Sequence, residues 1–221
     1  MEYESWDTID SNNGYYPEQL KLYLGVNRPK ILFSLGKASI LKQRLIMVCG
    51  ARNVSEMGFE IAYKCGRCIV ENGYAVASGY ARGVDRGAHF GALEAGGETV
   101  AMVPYGLSRF RVHSGLATVF DPERVVAISE APPDCGFTVN FAFRRNKILA
   151  ALAEAVIVIE PGEGGGSWYS AERARRMGRP LYFFEGARLD VIDRMGRLDG
   201  KRLEVKHSEP DLTPVFEQCQ I

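Results

Sequence analysis

Arginines set among glycines, just after short apolar runs, are the residues of this chain with the clearest chemical capability. Gly50-Ala51-Arg52 follows Leu45-Ile46-Met47-Val48-Cys49, and Ser78-Gly79-Tyr80-Ala81-Arg82-Gly83 follows the run that opens at Tyr74. A third turn, Gly162-Glu163-Gly164-Gly165-Gly166-Ser167, follows Val156-Ile157-Val158-Ile159. Glycine lets backbone N–H groups approach an anion closely, and a helix that begins there aims its free N–H groups at a phosphate. Glycine is also what any short strand-to-helix turn requires. Three such turns in one chain, two of them carrying arginine, favour a phosphate-lined crevice over that plainer reading.

A fourth segment, Asn140-Phe141-Ala142-Phe143-Arg144-Arg145-Asn146-Lys147, interleaves cations with aromatic rings. That combination neutralises phosphates while stacking the bases of a single strand. A helix start with solvated arginines and inward phenylalanines fits the segment equally well. Arg109-Phe110-Arg111 could extend a groove. Arg173, Arg175, Arg176 and Arg179 read instead as a solvated helix face, because Arg173 and Arg176 lie near Glu172 at helical spacing. Glu160, Asp85 and His89 are able to move protons, and each is better read as a cap or as a hydrogen-bond partner of its own loop.

Several chemistries are excluded. No Gly-x-x-x-x-Gly-Lys-Ser/Thr loop is present for nucleotide hydrolysis, and no Gly-x-Ser-x-Gly elbow for a serine hydrolase. The dinucleotide fingerprint fails at Arg52, which stands where backbone must meet pyrophosphate. The 5 cysteines are odd in number and follow no export signal, so a disulfide framework is not expected. Cys65-Gly66-Arg67-Cys68 has redox or half-zinc spacing, but without a second pair, and with only 3 scattered histidines, it reads as small residues on a helix. Cys49 reads as core. Neither a metal nor a cofactor is expected.

The elements that must position these groups follow from hydrophobic periodicity. Short apolar strands are predicted at Leu45–Cys49, Tyr74–Ser78, Thr99–Val103, Val125–Ile128, Val156–Ile159 and Leu181–Phe184. Helices are predicted over Ser55–Asn72, from an N-cap at Asp85 to the Gly96-Gly97 stop, over Asn140–Ala153 and over Ser167–Met177. Residues 104–124 read as loop plus one short helix. Strands alternating with helices give right-handed crossovers and a mostly parallel sheet, hence a doubly wound, Rossmann-like α/β domain over residues 45–186. Residues 1–44 read as a lead-in packed on the core, with a helix at Glu18–Leu24 and an edge strand at Ile31–Phe33. Residues 187–221 are a polar tail without a usable period.

With 221 residues, 46% of them hydrophobic, the chain can bury one sizeable core. Its 27 Lys+Arg balance 27 Asp+Glu, so a polyanion site must be a local patch rather than a whole-molecule field. No apolar run approaches the ~20 residues that span a bilayer, and a cytoplasmic setting without membrane contact is expected.

These motifs, in this order, resemble the DprA/Smf family of DNA-processing proteins across residues of about 16 to 185. Tyr16-Pro17 to Gly36 looks like the family's entry segment, and Met47-Val48-Cys49-Gly50-Ala51-Arg52 like its Val-Gly-Ser-Arg turn. The stretch Ser78 to Leu93 is the most specific match; Phe143 to Glu160 and Gly164 to Pro180 complete the series. The resemblance implies an extended Rossmann-like fold of the DprA/SLOG type. It also implies a homodimer that binds single-stranded DNA without catalysis, with roles in natural transformation and in loading a RecA-type recombinase. Carried over, Arg52 would contact backbone phosphate, Arg145, Asn146 and Lys147 would line the same pocket, and Phe141 or Phe143 would stack. Gly50, Ser78, Gly79, Arg82, Gly83, Gly165, Gly166 and Ser167 complete the expected phosphate-binding set. Gly136-Phe137-Thr138 lacks the basic residue of the family pattern, and neither an N-terminal helical module nor a C-terminal winged helix is evident. The wider superfamily includes nucleotide-ligand sensors and nucleoside-monophosphate phosphoribohydrolases. Their glycine turn is partly echoed at Pro161 to Ser167, with Glu172 as the carboxylate an enzyme would need.

Overall fold

A computed structural model describes residues 6–162, 164–185 and 191–220. Glu163 of the third glycine turn, residues 1–5 and the opening residues of the polar tail, 187–190, lie outside the described residues. In chain order the strands are β1 (Asp7–Asp10), β2 (Ile31–Gly36), β3 (Leu45–Gly50), β4 (Ala75–Ser78), β5 (Thr99–Met102), β6 (Val125–Ser129), β7 (Ala155–Ile159), β8 (Leu181–Phe184), β9 (Lys201–Arg202), β10 (Val205–Lys206) and β11 (Glu209–Pro210). The helices are α1 (Glu18–Leu24), α2 (Glu56–Glu71), α3 (Val84–Glu94), α4 (Val139–Leu152), α5 (Gly166–Arg176), α6 (Val191–Gly196) and α7 (Thr213–Cys219).

Nine strands form one sheet in the order β1-β2-β6-β5-β4-β3-β7-β8-β9. All neighbours from β6 to β9 pair in parallel, and β2 pairs antiparallel with both β1 and β6. The central strands are buried on both faces, which is why they read as continuous apolar runs rather than as alternation. Along β3, Leu45, Met47 and Cys49 pack beneath α1, α4 and α5, while Ile46 and Val48 pack beneath α2 and α3. The result is three layers, helix on sheet on helix.

From β3 the chain adds β4, β5 and β6 on one side, then crosses back to place β7 on the other side of β3. The strand order therefore reverses between β3 and β7. In open α/β sheets a reversal of this kind leaves a crevice at the carboxyl ends of the two strands.

The flanks depart from expectation in physically simple ways. Ile31–Phe33 is not the edge: β2 runs to Gly36, and β1 pairs outside it through Asp7↔Ser34 to Asp10↔Ile31. The Asp-Thr-Ile-Asp strand carries a single apolar residue, Ile9, which leaves no period to read. Residues 104–124 hold two short 3₁₀ turns, Leu107–Arg109 and Ser114–Leu116, rather than one helix. The polar tail supplies α6, α7, a β10–β11 hairpin and the edge strand β9, whose outward residues are exposed and polar. Among the described residues no helix is long and apolar enough to cross a membrane.

Candidate functional site

A cleft of about 520 Å³ opens at the β3/β7 reversal. One wall is Gly50, Ala51, Arg52 and Asn53 after β3; the opposite wall is Gly162, Gly165, Gly166, Ser167 and Ser170 around the start of α5. The N-cap of α5 is Gly165, which has no side chain of its own to accept from the first-turn N–H groups. Those dipoles, with exposed Arg52 facing them, make the rim favourable for an anion.

The third wall is α4, whose N-cap Thr138 accepts from the Phe141 N–H at 3.1 Å. Val139, Ala142, Phe143 and Asn146 line the cleft, the i, i+3, i+4, i+7 stripe of one helix face. Phe141 falls off that stripe and Phe143 lies on it, which separates the two phenylalanines. Phe143 is 38% exposed, Phe137 55% and Val139 62%, so the mouth carries an apolar, partly aromatic surface. Tyr169 meets Phe143 edge-on at 4.8 Å, and the guanidinium of Arg173 stands 4.4 Å over the Tyr169 ring. Arg173 is thus not simply a solvated cation but the end of a stacked row beside the mouth.

The floor is Met47, Cys49, Asp85 and Arg145. Asp85 is not the N-cap of α3; that position is Gly83, and Asp85 lies inside the first turn. Its carboxylate accepts from the Ala81 N–H at 3.2 Å and stands 3.7 Å from Arg145 Nη1. Burial raises the Asp85 carboxyl above its ordinary value and Arg145 opposes that; burial lowers Arg145 and Asp85 opposes it in turn. Burial also pushes the Cys49 thiol up to about 12, so it is a neutral packing group and not a nucleophile.

Of the expected site residues, the cleft gathers Gly50, Arg52, Phe143, Arg145, Asn146, Gly165, Gly166 and Ser167. Ser78, Gly79, Arg82, Gly83, Phe141 and Lys147 do not line it. The turn after β4 reaches the cleft through Ala81 and otherwise serves the packing. Ser78 Oγ donates to the Val48 carbonyl at 2.6 Å. A Cβ on Gly79 would lie 1.2 Å from Arg145 Nη1, and one on Gly83, where φ is +80°, would lie 2.3 Å from the Ala51 carbonyl oxygen. Arg82 is exposed and does not line the cleft. Arg109-Phe110-Arg111 forms no groove: Phe110 is buried against Tyr80, and Arg111 donates to the Ser108 and Phe110 carbonyls.

The remaining proton-bearing groups serve their loops. Glu160 accepts from the N–H and hydroxyl of Ser55, the N-cap of α2. His89 Nδ1 lies 2.7 Å from Thr99 Oγ1, and burial drives its pKa down to about 3. Glu172 does not line the cleft; Ser167 and Ser170, one turn apart on α5, hold its inward face. Cys65 is buried and Cys68 half-buried, both as free thiols, and no group of three or more His, Cys, Asp or Glu among the described residues could hold a metal. Sequence reasoning missed Asn53, Phe137, Val139, Ala142 and Ser170, whose signal was the helical stripe on α4 and the turn spacing on α5.

A family model described as DNA recombination-mediator protein A matches residues 7–195. The chain belongs to that family. It is 30% identical over 194 residues to the DNA processing protein DprA of Streptococcus pneumoniae, covering 86% of this chain and 67% of that protein. The solved structure of the pneumococcal protein superposes with a TM-score of 0.79 at 29% identity, covering 91% of this chain and 72% of that one. The DNA processing protein A of Helicobacter pylori, solved for its single-stranded DNA binding mode, superposes with a TM-score of 0.74 at 22% identity, covering 89% and 90%. That likeness establishes the shared Rossmann-like fold. The chain spans between half and two thirds of the length of curated relatives in this family.

Proposed function

We propose that this chain binds single-stranded DNA in the β3/β7 cleft, as a non-catalytic DNA-processing protein of the cytoplasm. The observation that carries this reading is the convergence, on one cleft, of Arg52, the uncapped start of α5 and the exposed ring of Phe143. Arg52 and the N–H groups of Gly166 and Ser167 take backbone phosphates, while Phe143 and Phe137 offer stacking faces to bases. A duplex hides its base faces and gains only the phosphate contacts. Family membership supports a role in DNA processing during transformation. By the same kinship the chain works as a homodimer and passes its strand to a RecA-type recombinase.

The phosphoribohydrolase alternative is not favoured. Oxocarbenium-like charge at a sugar calls for a nearby carboxylate, whereas the α5 wall presents serine and Glu172 faces elsewhere. The lining carboxylate that is described, Asp85, is engaged by Arg145. The test of the DNA reading is fluorescence anisotropy with labelled oligo-dT and a duplex of equal length across a salt series. Oligo-dT is expected to bind at least ~10-fold tighter, with affinity falling steeply as salt rises. Equal affinities, or no binding at low salt, would reject it.

A further inference from the structure

Each residue of a helix is turned about 100° from the one before it, so Arg144, Arg145 and Asn146 on α4 face three different neighbours. All three are tied down. Arg144 donates through Nε and Nη2 to the two carboxylate oxygens of Glu130, just past the end of β6, with Nε 2.7 Å from Oε2. Arg145, 7% exposed, reaches the turn after β4, where its Nη1 stands 3.7 Å from Asp85 Oδ2 and lies so close to Gly79 that no Cβ fits between them. Asn146 Nδ2 donates to the Gly166 carbonyl at 2.9 Å, at the start of α5.

These partners leave little for a nucleotide. Each arginine faces its own carboxylate, so the two positions that look most basic in the sequence carry no spare charge. A phosphate brought to Arg145 would be desolvated and would meet Asp85. What the three ties do fix is the residue one step earlier, Phe143, whose ring is 38% exposed at the cleft mouth. Binding groups have to be held to within about 0.5 Å by side chains that are themselves locked by other contacts. A ring in the second turn of a helix is placed only as well as that helix is.

We infer that Arg144, Arg145 and Asn146 are positioning residues, a three-way mount that holds the Phe143 ring at the cleft mouth and touches no nucleotide. This inference rests on the single-strand reading above and gives these residues a duty separate from phosphate contact. Gly79 serves the same mount, because a side chain there would displace the Arg145 guanidinium.

Asp85→Asn and Glu130→Gln each remove a carboxylate and leave every cation in place, and anisotropy with labelled oligo-dT across a salt series reads their effect. If the arginines were phosphate contacts, freeing them would tighten binding and steepen the log–log salt slope by about 0.7 per added contact. The mount predicts the opposite. Binding is expected to weaken ~5-fold in Asp85→Asn and ~3-fold in Glu130→Gln, with the salt slope unchanged. Phe143→Leu alone is expected to cost ~10-fold, as loss of one stacked base does, and either carboxylate replacement added to it should then cost nothing more. Beside Arg52→Ala, the same replacements should cost as much as they do in the wild type. Tighter binding, a steeper slope, an unchanged affinity, a Phe143→Leu chain that binds like the wild type, or a loss that persists beside Phe143→Leu overturns the inference. If circular dichroism shows Asp85→Asn to be unfolded, Glu130→Gln decides alone, since its partner Arg144 lies at the surface. Any of these contrary results with a wild type that binds oligo-dT rejects this inference and leaves the single-strand reading standing. A wild type that does not bind oligo-dT rejects that reading and takes the inference with it.

Discussion

The turns after β4 and β7 are both glycine-rich and have opposite duties. Ser78 to Gly83 holds two glycines and an arginine, and its glycines are fixed by neighbours: Gly79 makes room for Arg145, and Gly83 for the Ala51 carbonyl. Around the start of α5, Gly164 has nothing within 4 Å of an added Cβ, and Gly165 has only the Gly162 carbonyl at 3.8 Å. The first turn is a strut, and the second is an open edge to which a ligand has access. What separates them is strand order. β7 lies beside β3 at the reversal, whereas β4 lies on the other side of β3 and its turn packs down upon the turn after β3, with the Val84 N–H donating to the Ala51 carbonyl.

The largest effect expected from this contrast is on stability. Gly83→Ala should lose about 2 to 4 kcal/mol, because the position combines positive φ with a backbone clash. Gly165→Ala should lose no more than about 1 kcal/mol, the margin between glycine and alanine at an N-cap. Urea unfolding of the two variants measures both; equal losses would erase the distinction between strut and edge.

The strut side should also carry an acid sensitivity. His89 packs edge-on against Tyr80 of that turn, and its folded pKa of about 3 lies below its ordinary value of 6.5. Between those values the unfolded chain takes up a proton that the folded chain refuses, so stability falls as pH drops. At about 1.4 kcal/mol per unit, going from pH 6.5 to pH 5 should cost roughly 2 kcal/mol. His89→Gln should flatten that part of the profile. A wild-type midpoint unchanged across this range would contradict the neutral, buried imidazole.

On binding, the contrast is between two arginines that look alike in the sequence. Arg52→Ala should lose about 1 to 3 kcal/mol of oligo-dT affinity, as charge-assisted hydrogen bonds to phosphate do, with folding intact. Arg82→Ala should change affinity by less than about 0.5 kcal/mol. Anisotropy on both variants decides it, and a larger loss at Arg82 would move the site to the β4 side.

The parallel sheet and its helices were legible because strands buried on both faces leave continuous apolar runs, and because Ser55 and Gly73 bracket α2 as cap and stop. Strand order was not legible, since nothing local to Val156 to Ile159 records that this strand pairs with β3. Without that order the three glycine turns looked equivalent, and Ser78, Gly79, Arg82 and Gly83 were grouped with Arg52. Phe143 could have been separated from Phe141 by the helical stripe through Val139, Ala142 and Asn146. The burial of Arg145 could not have been read, because it depends on Gly79 and Asp85 from another unit of the fold.

The central claim is that single-stranded DNA lies in the β3/β7 cleft, and photocrosslinking tests it most directly. An oligo-dT carrying one 5-iodouracil, irradiated with the protein and mapped by mass spectrometry of the tryptic peptides, reports which aromatic rings touch bases. The expected adducts are on Phe143 or Phe137 at the mouth of the cleft, and they should be suppressed by excess unlabelled oligo-dT. Adducts confined to residues 104–124 or to the outer face of the β4 turn would contradict the account.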